Sequence, residues 1–314
     1  MFRRKIISTF LAVLSASALL VACREKHSSD SLTIGVSLSS NTNPFFVKMA
    51  DGIKARAAQS GVKVTIAIAG EDPLKQLDQI RGFVTQKVDG ILISPVDTVA
   101  AIPAYEAARE AKIPILSIAR RTRPDLEDGF IGADEATLAR RIASWTCRAL
   151  RGKGKIAMLD GPPGASFVRI MTSSYKAELD AHCPGAKVVF ETNIVPMTPA
   201  SALTATKDAL TAHPDVDAVY GNVDDLAAGA VRALEEEHAL NRIIVTGFDG
   251  TRVDLVRAGK LSMTVALRPY HWGEVGLETI VKRLRGVRVP HVVQVRAVVV
   301  DRSNVATLPS AALR

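Results

Sequence analysis

Several residues that can bind a small molecule stand directly after apolar segments of the sequence. Phe45 and Phe46 follow Asn43 in NTNPFF, at the start of an expected helix where polar caps are usual. Arg120 ends the segment IPILSIAR, and Asp249 follows IIVTGF. Amide, guanidinium and carboxylate groups hydrogen-bond to polar ligand groups, and aromatic rings cover apolar ligand faces. These residue types predict reversible, non-covalent binding.

The same residues also have structural interpretations, which the sequence leaves open. Phe46 suits a hydrophobic staple or a core position of its helix equally well. Asp249 suits the cap of a helix that begins near Thr251, and Phe248 suits either a ligand contact or the core.

The sequence contains no common catalytic motif. GPPGAS is glycine-rich, but it lacks the Gly-Lys-Ser/Thr ending of a phosphate loop, and a turn between a strand and a helix explains it. Neither Gly-x-Ser-x-Gly nor His-Glu-x-x-His occurs, and the six histidines are scattered. We therefore expect no enzymatic activity, no cofactor and no metal site.

The first residues have the pattern of an export signal. A basic start, MFRRK, precedes an apolar segment, and LVAC ends it at Cys23 in the form of a bacterial lipobox. This predicts a lipoprotein signal peptide over residues 1–22, lipidation of Cys23 and a tether over 23–31. The expected location is the periplasm, with a lipid anchor in a bacterial membrane. An ordinary cleaved signal with an incidental cysteine is the alternative.

Charge and cysteine content limit the partners and the compartment. Removal of the signal takes three basic residues and lowers the formal net charge from +8 to +5. Because no run of like charges remains, we expect no nucleic-acid partner. Cys147 and Cys183 are then the remaining cysteines, and an oxidising compartment allows either a disulfide or two unpaired thiols.

Short apolar segments alternate with helical patterns along most of the chain. This alternation predicts parallel, doubly wound sheets in an α/β fold, in two successive series that divide near residue 130. The predicted strands are residues 32–38, 62–68, 90–95, 113–118, 155–160, 186–191, 216–221 and 242–248.

Four segments resemble the periplasmic sugar-binding proteins of the ribose-binding type, the solute receptors of ABC importers, which are related to LacI-type ligand domains. They are NTNPFFVKMADGIKARAAQSG, ILISPVDTVAAIPAYEAAREAKIPILSIAR, LTAHPDVDAVYGNVDDLAAGAVRAL and IIVTGFDGT. The resemblance extends over about residues 31 to 300. A repressor of the same fold would carry a helix-turn-helix where this chain has its signal segment.

The resemblance implies two parallel-sheet lobes joined by a three-crossover hinge. The crossovers would lie near Gly132–Ala133, Leu267–Arg268 and Val292–Gln294. The N-terminal lobe would comprise residues 32–132 and 268–292, and the C-terminal lobe residues 133–267 and 293–314. Ligand would bind between the lobes, where Arg120 would hold hydroxyl groups and Phe45 and Phe46 would cover the C–H face of a sugar ring.

Several positions depart from the pattern of the family. Ser94 stands where the family has an asparagine after the third strand, and Ala119 replaces the aspartate before Arg120. The arginine expected after GPPGAS falls on Met171, with Arg169 two residues away.

The second half departs as well. Met197 lies near an aromatic position of the family, and Leu267 replaces a glutamine at the second crossover. Val223, flanked by Asn222 and Asp224, occupies the position of an asparagine. A shift of one or two residues in the alignment is the alternative explanation.

These departures remove hydrogen-bonding groups from the expected site. Each unpaired polar group of a buried ligand costs about 1–3 kcal/mol, so we expect a ligand less hydroxylated or bulkier than ribose. A deoxy-sugar, a sugar derivative or another small metabolite would fit. The expected partner of this monomer is the membrane permease of an ABC importer, or alternatively a membrane kinase or chemoreceptor that senses the bound form.

Overall fold

The computed structural model describes residues 31–309. The predicted signal peptide, Cys23 and nearly all of the predicted tether lie outside the described residues. No helix within residues 31–309 has the length and apolar character needed to span a membrane.

The first half of the chain builds one sheet and its helices. Its elements are β1 (Thr33–Leu38), α1 (Pro44–Ser60), β2 (Lys63–Ile68), α2 (Pro73–Thr85), β3 (Gly90–Ile93), α3 (Ile102–Glu110), β4 (Ile115–Ile118) and β5 (Phe130–Gly132). The second half continues with α4 (Glu135–Ala149), β6 (Lys153–Asp160), α5 (Ser166–His182), β7 (Gly185–Asn193), α6 (Pro199–Ala212), β8 (Ala218–Gly221), α7 (Asp224–Glu236), β9 (Ile244–Thr246), α8 (Val253–Arg257) and β10 (Met263–Ala266). The last elements are α9 (Pro269–Leu284), β11 (Val292–Gln294) and β12 (Val298–Asp301).

The strands form two six-stranded sheets, with orders β11-β5-β4-β3-β1-β2 and β12-β10-β9-β8-β6-β7. The first sheet packs with α1, α2, α3 and α9 and is called the first lobe. The second sheet packs with α4 to α8 and is called the second lobe. The predicted α/β class with two doubly wound lobes is confirmed. One detail differs, because β12 joins β10 as an antiparallel edge strand.

The chain passes between the sheets three times. It crosses after β5, returns after β10 and crosses again between β11 and β12. The third passage follows Gln294, because Val293 and Gln294 continue the pairing of β11 with β5. Strand β4 begins two residues later than predicted, after Pro114, which has no N–H to donate to a sheet.

Local chemistry sets both ends of helix α1. The side-chain oxygen of Asn43 accepts a hydrogen bond from the backbone N–H of Phe45 at 2.8 Å. Gly61 ends the helix in the left-handed conformation, with φ of 65°, which glycine adopts readily. Met49 and Ile53, four residues apart on one face of the helix, are fully buried. Burial of each contributes about 1.5–3 kcal/mol, which fixes the helix against its sheet.

A disulfide joins the end of α4 to the residue after α5. The Cα atoms of Cys147 and Cys183 lie 6.1 Å apart, within the usual range for a disulfide. Of the two possibilities that the sequence leaves open, the structure has the bonded pair.

Candidate functional site

A cavity lies between the two lobes, next to the carboxyl ends of strands from both sheets. The space not filled by protein atoms there is about 470 Å³, part of which is open to solvent. The residues that line it are Asn43, Phe45, Phe46, Ala119, Arg120, Glu135, Phe167, Met197, Val223, Phe248, Asp249, Leu267 and Trp272. Open parallel sheets place ligand sites at this edge because loops and helix N-termini converge there.

Three aromatic rings of the first lobe form one wall of the cavity. The Phe45 ring meets the Phe46 ring edge-to-face at 5.3 Å between centroids and the Trp272 ring at 5.6 Å. All three side chains are buried. The Phe46 ring packs in the core and also lines the cavity, and its contact with a ligand stays a prediction.

Arg120 lies between aromatic rings of both lobes. Its guanidinium carbon is 5.2 Å from the Phe46 centroid and 5.4 Å from the Phe167 centroid, which are cation–π distances. It donates hydrogen bonds to both carboxylate oxygens of Glu71, at 2.9 and 3.3 Å. The preceding Ala119 has φ of 65°, a left-handed conformation that turns the chain sharply at the end of β4.

Asp249 reaches the cavity from a strained turn after β9. Its φ is 99°, which costs a non-glycine residue conformational energy and is typical of functional positions. One carboxylate oxygen accepts hydrogen bonds from the backbone N–H of Thr251 at 2.9 Å and from its hydroxyl at 2.7 Å. These bonds close a turn rather than cap a helix, because α8 begins only at Val253, after Arg252; the residue also lines the cavity. Burial raises the pKa of Asp249 well above its ordinary value, and the nearby Asp224 carboxyl raises it further.

Glu135 is a lining residue that sequence reasoning missed. It is the first residue of α4, directly after the capping residue Asp134. Burial raises its pKa to about 7, against the lowering effects of its own backbone N–H and of Arg121. The sequence places a glutamate next to the first crossover. Glutamate is common at the start of a helix, so the sequence alone does not mark this residue as part of the cavity.

Phe167 and Trp272 were missed for a different reason. Both lie on helices, α5 and α9, rather than in the loops after strands. Their position at the cavity depends on how the lobes meet and how α9 packs on α1, which local sequence does not show.

Three predicted contacts lie away from the cavity. Ser94 is fully buried, and its hydroxyl lies 3.3 Å from that of Ser39. Met171 is fully buried in the core of the second lobe, because α5 turns that position toward its own sheet. Asn222 donates a hydrogen bond to Asp160 at 3.0 Å, whereas the next residue, Val223, lines the cavity. For these positions, the assignment as cavity residues is corrected.

Arg169 is also corrected, since it joins the lobes instead of lining the cavity. Its guanidinium donates to the Thr98 hydroxyl of the first lobe at 3.1 Å. The Thr98 N–H donates to the Gly164 carbonyl at 3.0 Å, and the Arg121 N–H donates to the Ser166 hydroxyl at 3.1 Å. We call these contacts the seam; they hold the two lobes together beside the cavity.

The other predicted contacts line the cavity, and their contact with a ligand stays a prediction. They are Asn43, Phe45, Phe46, Arg120, Met197, Val223, Phe248, Asp249 and Leu267. Within residues 31–309, no cluster of three or more histidine, cysteine or acidic side chains is arranged to hold a metal ion.

Comparison with known proteins adds to this geometry. A sequence profile described as a periplasmic binding protein domain matches residues 34–287. The chain belongs to the periplasmic binding protein family. The resemblance inferred from the sequence is therefore confirmed, and with it a periplasmic location.

Relatives of this periplasmic binding protein include transport receptors. The ribose import binding protein RbsB of Bacillus subtilis (strain 168) is 32% identical over 259 residues, which are 82% of this chain and 83% of that protein. An ABC transporter solute-binding protein from Bacillus halodurans C-125, solved with bound myo-inositol, has a TM-score of 0.83 and 27% identity, covering 89% of this chain and 98% of that chain.

A domain of a two-component system has a similar structure. The fructose-binding periplasmic domain of a hybrid two-component system has a TM-score of 0.83 and 27% identity, covering 88% of this chain and 92% of that chain. Because the family and these relatives are binding proteins, this periplasmic binding protein is not an enzyme.

Proposed function

We propose that the chain is the solute receptor of an ABC-type importer and holds a sugar-like molecule between its lobes. The observation that carries the proposal is the cavity between the lobes, walled by aromatic rings and edged by a few polar groups. The import and ABC-transport roles named for the relatives support the same function.

The lining residues suit a ring with polar edges and C–H faces. Phe45 and Phe46 would cover one face of the ring. Arg120 is buried and held rigidly by Glu71 and two rings, so it would donate to a hydroxyl without losing further side-chain entropy. Asn43 uses its oxygen to cap α1, which leaves its amide N–H groups for the ligand.

The polar groups are few for a free pentose. Four of the thirteen lining residues carry polar side chains other than the indole of Trp272: Asn43, Arg120, Glu135 and Asp249. Ribose would leave hydroxyls unpaired, at about 1–3 kcal/mol each. We therefore retain the expectation of a less hydroxylated or bulkier ligand.

Ligand binding would close the lobes about the three crossovers. A ligand that contacts both lobes stabilises the closed form by its differential affinity for that form. The seam contacts, including the hydrogen bond from Arg169 to Thr98, would form in the same movement. A membrane permease would then recognise the closed surface.

The lipobox ending at Cys23 supports attachment of a monomeric receptor to a bacterial membrane by a lipid anchor. Delivery of the bound form to a membrane kinase or chemoreceptor is the second candidate, and the two-component relative is the observation in its favour. Import is preferred because the 32% identical relative is named for import.

A thermal-shift screen tests the proposal. Purified protein is heated with pentoses, hexoses, deoxy-sugars, inositols and amino acids, each at millimolar concentration. We expect stabilisation by one narrow group of polyols, since a ligand at 100 times its Kd adds about 2.7 kcal/mol. Stabilisation by amino acids alone would contradict the proposal, and stabilisation by ribose above all others would contradict the expected ligand type.

A further inference from the structure

The charged groups that line the cavity do not balance. Arg120 is the one cationic residue among the lining residues that the structure describes, and both of its terminal nitrogens already bind Glu71. Two acidic residues, Glu135 and Asp249, line the same cavity from the second lobe. When ionised, they leave an excess of negative charge at a buried site.

Among the described residues, no side chain is hydrogen-bonded to the carboxylate of Glu135. The residue is 8% exposed, and within residues 31–309 no side chain donates a hydrogen bond to its carboxylate, which is stabilised by its own backbone N–H. Arg121 faces it from the first lobe but forms its own ion pair with the buried Glu127. A buried carboxylate without a cationic partner is costly, so this group points to a partner that arrives with the ligand.

The carboxylate of Asp249 also uses only part of its hydrogen-bonding capacity within the described structure. It is 4% exposed, and its described hydrogen bonds go to one oxygen, Oδ1, from Thr251. The charged groups that face it are the carboxyls of Asp224 and Asp225, which repel its negative charge. Its second oxygen thus remains for a donor in the cavity, and a cation there would relieve the repulsion.

The aromatic walls suit the same kind of ligand. The negative face of an aromatic ring attracts an ammonium group within about 6 Å. Phe45, Phe46, Phe167, Phe248 and Trp272 all line the cavity. The indole Nε1 of Trp272 is buried without a partner in the described structure and is a donor suited to a hydroxyl oxygen.

We propose that the ligand is an amino-substituted polyol, in which a protonated amine binds Glu135 and Asp249 and a hydroxylated ring lies against the aromatic wall. This inference rests on the proposed function and specifies its ligand class. Without the amine, burial raises the pKa of Glu135 to about 7, with Arg121 and Asp134 as the charged groups that face it; a bound ammonium would keep the carboxylate ionised.

Calorimetric titration of matched ligand pairs tests the inference. At pH 7, the protein is titrated with glucose and glucosamine, galactose and galactosamine, ribose and its 2-amino-2-deoxy analogue, and myo-inositol and its amino-deoxy analogue. We expect an amino member to bind about 10–100-fold more tightly than its hydroxyl partner, the range for a charge-assisted hydrogen bond. N-acetylation, which removes the charge, should abolish this preference.

The possible outcomes separate the two proposals. If neutral polyols bind as tightly as or more tightly than their amino partners, the ligand class is wrong and the receptor function stands. If no polyol of either kind binds, both proposals fail.

A charge-removing variant locates the amine. Glu135→Gln should reduce the preference for the amino member at least tenfold and change the affinity for the neutral member less than threefold. Glu110→Gln, at an exposed position at the end of α3, is the matched control and should change neither. An unchanged preference in folded Glu135→Gln would overturn the assignment; if that variant does not fold, the ligand pairs on the natural protein decide.

Discussion

The seam between the lobes allows a sharp test of lobe closure. Thr98→Val removes the hydroxyl that accepts a hydrogen bond from Arg169 at 3.1 Å and keeps the shape of the side chain. The backbone bond from Thr98 to Gly164 at 3.0 Å stays in place. The change also removes the long bond from this hydroxyl to the Arg121 carbonyl at 3.4 Å within the first lobe. Neither Thr98 nor Arg169 lines the cavity.

The size of the effect follows from the exposure of this contact. Arg169 is exposed and Thr98 is half-buried, so the bond contributes about 0.5–1.5 kcal/mol net. If it forms only in the closed form, its loss lowers the closed population and weakens the apparent affinity about two- to tenfold. The loss should be the same for every ligand and should appear mainly as faster dissociation.

Stopped-flow dissociation and calorimetry with two different ligands measure this effect. Thr211→Val is the matched control, because its hydroxyl bonds to the Lys207 carbonyl within α6 at 2.9 Å, far along the chain from the seam. A loss of affinity confined to one ligand would place Arg169 or Thr98 in the binding site and refute our reasoning. Unchanged dissociation for both ligands would show that the seam does not contribute to closure.

Three further predictions concern the site and the stability of the second lobe. Arg120→Ala should weaken ligand binding about 10–100-fold by calorimetry, because it removes a buried charged donor; Arg123→Ala, at an exposed ion pair, should not weaken it. Replacement of Cys147 and Cys183 by alanine, whose positions are 36 residues apart, should lower the free energy of unfolding by about 4 kcal/mol in denaturant titrations, and ligand affinity in the folded state should remain unchanged. The pKa of Asp160 is raised by burial to about 6. Its stabilising contribution is therefore fully present below pH 4 and is lost as the pH rises through 6, so Asp160→Asn should flatten the pH dependence of thermal stability over that window; a steeper dependence would contradict the assignment.

Most of the fold could be predicted from the sequence, because local sequence patterns determine most of its strands and helices. Apolar runs separated by amphipathic helices indicate parallel sheets, and the cap residues of α1 mark both of its ends. Strand β5, with the sequence FIG, was not predicted because three residues are too few to show a period. The antiparallel pairing of β12 depends on which strand lies opposite after the third crossing, and local sequence does not contain that information.

The cavity residues that directly follow strands could be predicted from the sequence. Asn43, Arg120 and Asp249 stand in such loops and line the cavity. Met171 shows where this prediction fails. Residues one or two positions apart on a helix lie on different faces, and Met171 lies on the face that packs into the core. Glu135 and Phe167 come to the cavity only when the lobes meet, so no sequence pattern distinguishes them from ordinary helix residues.

A crystal structure of the protein with the most stabilising ligand of the screen tests the central claim most directly. We predict an intact molecule between the lobes, in contact with Phe45 and Arg120 of the first lobe and with Asp249 of the second. A ligand bound elsewhere on the surface, or one found chemically altered, would contradict the account.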